Sequence, residues 1–536
     1  MKKKLLVTLI SAIMLSTSLF ACANQDQGSN DTKAPDATTA ANTTAAPNTT
    51  AAPASDLTTI KMYFHGSNVT DDSAVMAKVN EYLAEKLSIQ LSPIWGTWGD
   101  FDQNVVLSLN SGEDVDIYFT CSWSSDEYNS YAKKGAWLRL DDPNNNLIEK
   151  YASDLLKSIP SVLVQGATVN GSDGYGIYAV PGYKDIACQY TWDINVPLLE
   201  KYGYTLDDIK NTDYYGFGDI LKTVKDGEGG NFYPLLVESA VLERMVNNIS
   251  IVTGDDGSNN VFSYYLNPDD VSAEGPYGNK IVSKFETEEY KKFAEKTREY
   301  YDAGFIDPVM AIKDQANDAR TARQNAGEYL IGTQSYAYGY ESVAKANRPF
   351  EPAYVPTTTP FVDTTTSQGA MMAISVNSKN PDLAMQFLNL LNSDPYLMTL
   401  LAYGVEGVHY DLNANGEVVF TEERKQYSPW TNGLGNVTLL PPVEGQGADF
   451  QTKFKEFYGA AKEVPYLGFA FDPSSLDTEL ATCASIIDEY SVALSAGAVD
   501  PAEKLPELIQ KLKDAGIDKL VDEANKQLDA FMASKQ

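Results

Sequence analysis

Large rings stand where predicted strands end. Trp95-Gly96-Thr97-Trp98 and Cys121-Ser122-Trp123-Ser124 each follow a strand signal, and so does the polar stretch His65-Gly66-Ser67-Asn68. Three of the six tryptophans therefore fall on one predicted edge. Big aromatics in exposed loops serve no core, so this edge reads as a binding surface. Trp123 is placed in contact with a ligand. Trp95 fits either ligand contact or packing beneath its own loop, and Trp98 is expected to pack beneath its loop. Catalytic chemistry is poorly supplied by comparison. His65 and His409 are the two histidines, which argues against a multi-histidine zinc site and against histidine-based triads. Neither Gly-x-Ser-x-Gly nor a P-loop is present. Asp255-Asp256-Gly257 is only a fragment of a calcium-loop pattern.

The elements that must position these residues alternate. Ile60, Met62 and Phe64 read as a half-buried strand. Asp71 or Asp72 caps a helix whose apolar face is Val75, Val79, Tyr82 and Leu83. Ile89 and Leu91 begin a strand that Pro93 stops. Phe101, Val105 and Leu109 share a helix face that ends at Gly112, and 117–120 make a third strand. Strand–helix–strand–helix–strand is the signature of a parallel sheet covered by helices. Ligands of such sheets sit beyond the carboxyl ends of the strands, which is where the tryptophans fall. Further on, 189–195 reads as a strand, Pro197 opens a helix, and Thr287 caps another. Asn380-Pro381, Asp394-Pro395 and Asp500-Pro501 each pair a cap with proline at the first helical position. Asn415-Gly416 marks a hairpin between Leu412 and Val418-Val419.

Before the first strand the chain changes character. Lys2-Lys3-Lys4, an apolar run over 5–15 and Leu19-Phe20-Ala21-Cys22 form a secretory signal that resembles a bacterial lipobox. Residues 1–21 would be the leader and Cys22 the lipidated N-terminus. Residues 22–55 are rich in Ala, Thr, Asn and Pro and lack the residues for a core. As a coil this tether would span on the order of 30 Å, and on the order of 100 Å when stretched. The net charge of −32 makes nucleic acid and anionic lipid surfaces poor partners. With Cys22 set aside, Cys121, Cys188 and Cys483 form three buried thiols or one pair with a thiol left over. No cofactor or metal is expected, and a monomer is.

Three stretches carry a resemblance. They are Tyr175-Gly176-Ile177-Tyr178-Ala179-Val180-Pro181, Asn195-Val196-Pro197-Leu198-Leu199-Glu200-Lys201-Tyr202-Gly203, and the run from Ile374-Ser375-Val376-Asn377 to Phe387-Leu388-Asn389. In this order, behind a lipobox, the chain resembles the extracellular solute-binding proteins of family 1, the sugar-binding lipoproteins of ABC importers. Tyr403-Gly404-Val405-Glu406-Gly407-Val408-His409-Tyr410 and Leu467-Gly468-Phe469-Ala470-Phe471-Asp472 resemble the subgroup with a C-terminal domain of unknown function (DUF3502-like).

The resemblance implies an α/β, two-lobe, periplasmic-binding-protein-like fold with crossing hinge segments and a helical C-terminal region. One lobe would hold 56–180 plus 369–428, and the other 182–368 plus 429–536. Crossings would lie near 179–182, 367–373 and 429–436. It also implies that Tyr183, just past the first crossing, faces the cleft. Trp430 would do so near the third crossing, and Tyr336 or Tyr338 from the second lobe. Glu406 is a candidate acceptor for sugar hydroxyls. Asp126 and Glu127 are read as caps of the next helix, and Lys184 as a solvated surface lysine. The function implied is capture of an oligosaccharide for delivery to an ABC permease, without catalysis. The protein would sit lipid-anchored on the outer face of the cytoplasmic membrane of a Gram-positive type envelope. The alternatives are the same fold binding a peptide or other small solute, and a cell-surface glycoside hydrolase with paired carboxylates.

Overall fold

The computed structural model describes residues 57–254 and 261–535. The signal segment, Cys22, the tether and Asp255-Asp256-Gly257 lie outside the described residues. The chain opens with β1 (Thr58–Phe64), α1 (Ser73–Leu87), β2 (Ile89–Trp95), α2 (Phe101–Ser111), β3 (Ile117–Thr120) and α3 (Tyr128–Lys133). After short helices and a hairpin come β4 (Ala179–Pro181), β5 (Gln189–Ile194), β6 (Leu235–Leu236) and α4 (Ser239–Asn247). Next are α5 (Lys313–Ala326), β7 (Ile331–Tyr336), α6 (Tyr340–Asn347), β8 (Ala353–Pro356) and β9 (Met371–Ile374). Helices dominate thereafter, ending in α7 (Asp477–Ser495), α8 (Pro501–Ala515) and α9 (Ile517–Ser534).

Two sheets organise this succession. The first has the order β2-β1-β3-β9-β4. Strands β1, β2 and β3 are parallel, and β9 runs against both β3 and β4. Its core is apolar on both faces, with Ile60, Met62, Phe64, Ile117, Phe119 and Met372 buried on one and Tyr63, Tyr118, Met371 and Ala373 on the other, as expected of a sheet covered by helices on both sides. The second sheet has the order β8-β5-β7-β6, with β7 parallel to β6 and antiparallel to β5.

Local signals explain most boundaries. Val75, Val79 and Leu83 are buried at helical spacing, so α1 forms to bury that stripe. Asp71, not Asp72, holds the start of α1 by accepting Ser73 N–H at 3.0 Å. Asn195 caps the helix that Pro197 opens by accepting Leu198 N–H at 3.2 Å. Pro93 does not stop its strand: β2 runs through it to Trp95. β2 is an edge strand, so a residue with no N–H loses no ladder bond on its open side.

The connections fix which edges face each other. The chain leaves the first sheet at Pro181 and enters the second at Gln189. It leaves the second at Pro356 and re-enters the first at Met371. These two links pair with each other, as Gly182 N–H donates to Ala370 O (2.9 Å), and Cys188 and Phe361 exchange both backbone bonds (2.8 and 2.9 Å). The crossings thus begin just outside strands that the sequence reading had partly assigned to them, because Ala179–Pro181 and Met371–Ile374 are sheet residues. By this topology the carboxyl ends of β1, β2 and β3 and those of β6, β7 and β8 all lie at the edges where the crossings attach.

The C-terminal helices pack against 239–302. Ser495 Oγ donates to Glu243 at 3.1 Å, and Arg298 donates to Gly497 O at 3.2 Å. Among the described residues no helix is long and apolar enough to cross a membrane. Cys121, Cys188 and Cys483 are free thiols.

Candidate functional site

The carboxyl edge of the first sheet carries a cluster of rings. His65 follows β1, Trp98 lies in the turn before α2, Phe119 ends on β3, and Trp123 sits in the next loop. Trp430 arrives from a distant segment after Tyr427-Ser428 pairs with Asn68-Val69. Trp98 and Trp123 are near parallel at 6.1 Å between centroids. Trp430 lies 5.1 Å from Trp98 and 5.7 Å from Trp123. His65 is the hub, at 4.6, 5.2 and 5.8 Å from the three indoles, each near edge-to-face. Phe101 and Phe119 close the floor at 4.2 and 5.2 Å from His65.

Two glycines make this packing possible. A Cβ on Gly66 would come within 2.8 Å of the Trp98 ring, and its φ of +68° is the left-handed region. A Cβ on Gly433 would stand 2.6 Å from the Trp430 ring.

Exposure separates the rings that can meet a ligand from those that cannot. Trp98 is 58% exposed and Trp123 40%, Trp430 is half-buried, and His65 is 4% exposed. Trp123 Nε1 donates to Gly369 O at 3.1 Å, which ties its ring to the second crossing. Its loop rests on the buried Asp126 carboxyl, which accepts Ser124 Oγ at 2.6 Å. Burial pushes the Asp126 carboxyl well up from the usual range. Glu127 caps α3, accepting Ser130 N–H at 2.7 Å, while Asp126 lies beneath the loop and does not cap the helix. Burial lowers His65 to about 4, against a smaller opposing pull from Asp102. The imidazole is therefore neutral, and its Nδ1 has no partner among the described residues.

The remaining candidates from the sequence lie elsewhere. Trp95 stacks on Phe64 at 4.5 Å and donates to Asp72 at 2.9 Å, so it is held in the wall of β2, outside the cluster. Tyr183 is 7% exposed and packs against Phe454 at 6.2 Å, so its ring is covered and does not look into an open space. Lys184 is buried and paired with Asp185 at 2.7 Å, where a solvated lysine was expected. Tyr336 donates to Glu341 at 2.8 Å and meets the ring of Tyr354 at the end of the second sheet. Tyr338 packs on Phe450 at 5.3 Å and lines a cavity of about 180 Å³ with Thr431, Asn432 and Asp185. Glu406 is exposed in a turn bridged to Tyr410, with no contact to the rings. Trp98, expected to pack beneath its loop, is instead 58% exposed in the cluster, and His65, expected only as part of a polar strand-end stretch, is its hub. Their signal was present: both follow a strand end, beside glycine or within a glycine-flanked turn. Among the described residues no three His, Cys, Asp or Glu side chains are grouped to hold a metal.

A mixed α/β fold with an aromatic patch at the edge where crossing segments attach defines a solute-binding protein. The chain belongs to the bacterial extracellular solute-binding protein family, whose model matches residues 66–398. Residues 465–533 match a domain of unknown function (DUF3502). A carbohydrate ABC transporter substrate-binding protein of Streptococcus pneumoniae (strain TIGR4) is 28% identical over 539 residues, covering 100% of this chain and 99% of that protein. The crystal structure of the N-glycan transport solute binding protein NgtS from Streptococcus pneumoniae superimposes with a TM-score of 0.74 at 27% identity, covering 89% of this chain and 100% of that one. NgtS in complex with Man5GlcNAc gives a TM-score of 0.67 at the same identity, over 89% and 99% of the two chains. These relatives are named as substrate-binding or solute-binding proteins.

Proposed function

We propose that this chain is the extracellular substrate-binding lipoprotein of an ABC importer. It captures an oligosaccharide between the carboxyl edges of its two sheets and hands it to a membrane permease without chemical change. The observation that carries this reading is the cluster of Trp98, Trp123 and Trp430 at the edge where the crossings attach. Pyranose rings present apolar C–H faces with hydroxyls at the rim, so indole faces cover them while amides and carboxylates hold the rim. The 27% identical neighbour named as an N-glycan transport protein supports a glycan as the solute.

The first lobe is 56–180 plus 369–428, and the second is 182–368 plus 429–536. Closure turns about the paired crossings, where a few backbone positions absorb the rotation. Cys22 anchors the chain and the tether lets the binding unit search near its permease.

Thermal stability in a glycan panel tests this. The panel includes a two-sugar probe, Man1GlcNAc, and a six-sugar probe, Man5GlcNAc, beside peptides. A binding glycan at ~100 times its Kd adds about 2.7 kcal/mol of stability, and mass spectrometry recovers the glycan intact. A rise with peptides alone, or release of shortened glycan, overturns the reading.

A further inference from the structure

The second sheet carries its own pocket, of about 410 Å³, lined by α5, α6 and the sheet and reaching the carboxyl ends of β6 and β7. Glu238 lies two residues beyond β6, and Gln334 and Ser335 end β7. Tyr340 begins α6, and Arg320 reaches in from α5. The other charged wall is already satisfied. Buried Asp193 accepts Arg348 Nη1 at 2.8 and 3.0 Å, Gln324 at 2.9 Å and Tyr329 OH at 2.8 Å. Arg320 is not satisfied. Its partner is Glu238 at 3.4 Å, longer than a good charge-assisted bond, and its buried Nε has no acceptor among the described residues. A guanidinium left this way gains from a guest that brings an acceptor.

This pocket shares a wall residue with the cavity that neighbours the aromatic patch in sequence. Tyr340 lines both it and the smaller cavity, which also holds Thr431 and Asn432, the residues that follow Trp430. Tyr340 thus stands between the cavity beside Asn432 and the pocket that holds Glu238 and Arg320. We propose that the Glu238–Arg320 pocket is the far subsite of the cleft, built for a neutral sugar unit of the same oligosaccharide whose other end stacks on the indoles. Vicinal hydroxyls need one donor and one acceptor side by side, and Arg320 and Glu238 supply that pair. Glu238 and Arg320 together carry no net charge, which matches a neutral sugar. The site therefore measures length: a ligand must span both subsites to use both. This proposal rests on the cleft reading given under Proposed function.

The test is isothermal titration of the purified protein with the two-sugar and six-sugar probes. In E238Q and in Arg320→Met, the preference for the longer over the shorter probe should fall by roughly tenfold or more. E238Q keeps the shape of a partly exposed side chain, so it stands should the arginine variant fold poorly. If the preference is retained in E238Q, the far subsite is overturned. Trp98→Ala separates that failure from failure of the cleft itself. If it weakens both probes while E238Q leaves the preference intact, the cleft stands and the far subsite falls. If neither probe binds the unaltered protein, both fall.

Discussion

The two sheet edges that meet at the crossings are built from opposite materials. The first presents rings around a neutral imidazole, with Trp98 and Trp123 exposed. The second presents a guanidinium, a carboxylate and amides above a buried Arg348–Asp193 pair. Exposed rings carry no charge, so the first edge needs no counter-charge buried beneath it. A charged pocket needs an electrostatic scaffold, and the second edge has one buried beneath it. On the proposed reading, the difference assigns affinity for a flat, apolar face and selection by hydroxyl pattern to different halves of the molecule.

The sharpest way to break the comparison is to remove the scaffold. Arg348→Met leaves Asp193, which is fully buried, without its counter-charge. It should lower stability by about 3–5 kcal/mol in urea unfolding. A loss below about 1 kcal/mol would mean the second edge does not depend on that pair.

The first edge responds to pH instead. The His65 folded-state value lies below its unfolded one, near 4 against 6.5. The unfolded chain therefore binds the proton first, and stability contributed by the neutral ring is lost as pH falls from about 6.5 to about 4. The expected loss is up to about 3 kcal/mol. His65→Phe should remove that component, read as the difference between the two stability–pH curves. Parallel curves would contradict a buried neutral imidazole.

Trp95 and Trp98, three residues apart, give the next contrast. Trp98→Ala should weaken glycan binding by about 2 kcal/mol, roughly thirtyfold, with a small change in melting temperature. Trp95→Ala should do the reverse, lowering the melting temperature while leaving affinity near that of the unaltered protein. The smallest effect is expected for Gly66→Ala. Its Cβ meets the Trp98 ring and its φ is positive, so it should cost about 1–2 kcal/mol of stability. It should also weaken binding by displacing the ring.

That contrast shows how far the sequence could be read. The alternation of strand and helix, the parallel pairing and the edge at which the tryptophans gather were all legible from hydrophobic period and caps. Pro93 is why Trp95 stays open between ligand contact and packing in the sequence, and why Trp98 reads as packed beneath its loop. Reading proline as a stop ended β2 before Trp95 and left that ring in a loop. Because β2 is an edge strand, it tolerates Pro93 and continues to Trp95, and Trp98 becomes the ring beyond the end. Edge position is a property of the whole sheet and is not written locally. Trp430 was found through resemblance to a family, since the pairing of Tyr427-Ser428 with Asn68-Val69 spans more than half the chain. The Glu238–Arg320 pocket was not legible, because it joins residues of α5 to the ends of β6 and β7, and no spacing announces that.

The most direct measurement uses the six indole N–H signals, read by 15N–1H NMR during titration with the six-sugar probe. Trp98, Trp123 and Trp430 share the patch, while Trp95, Trp137 and Trp192 are packed in the wall and core. The account predicts that the first three signals move with the probe and the other three stay. Movement confined to the packed three, or a binding glycan that moves none of the patch signals, would contradict it.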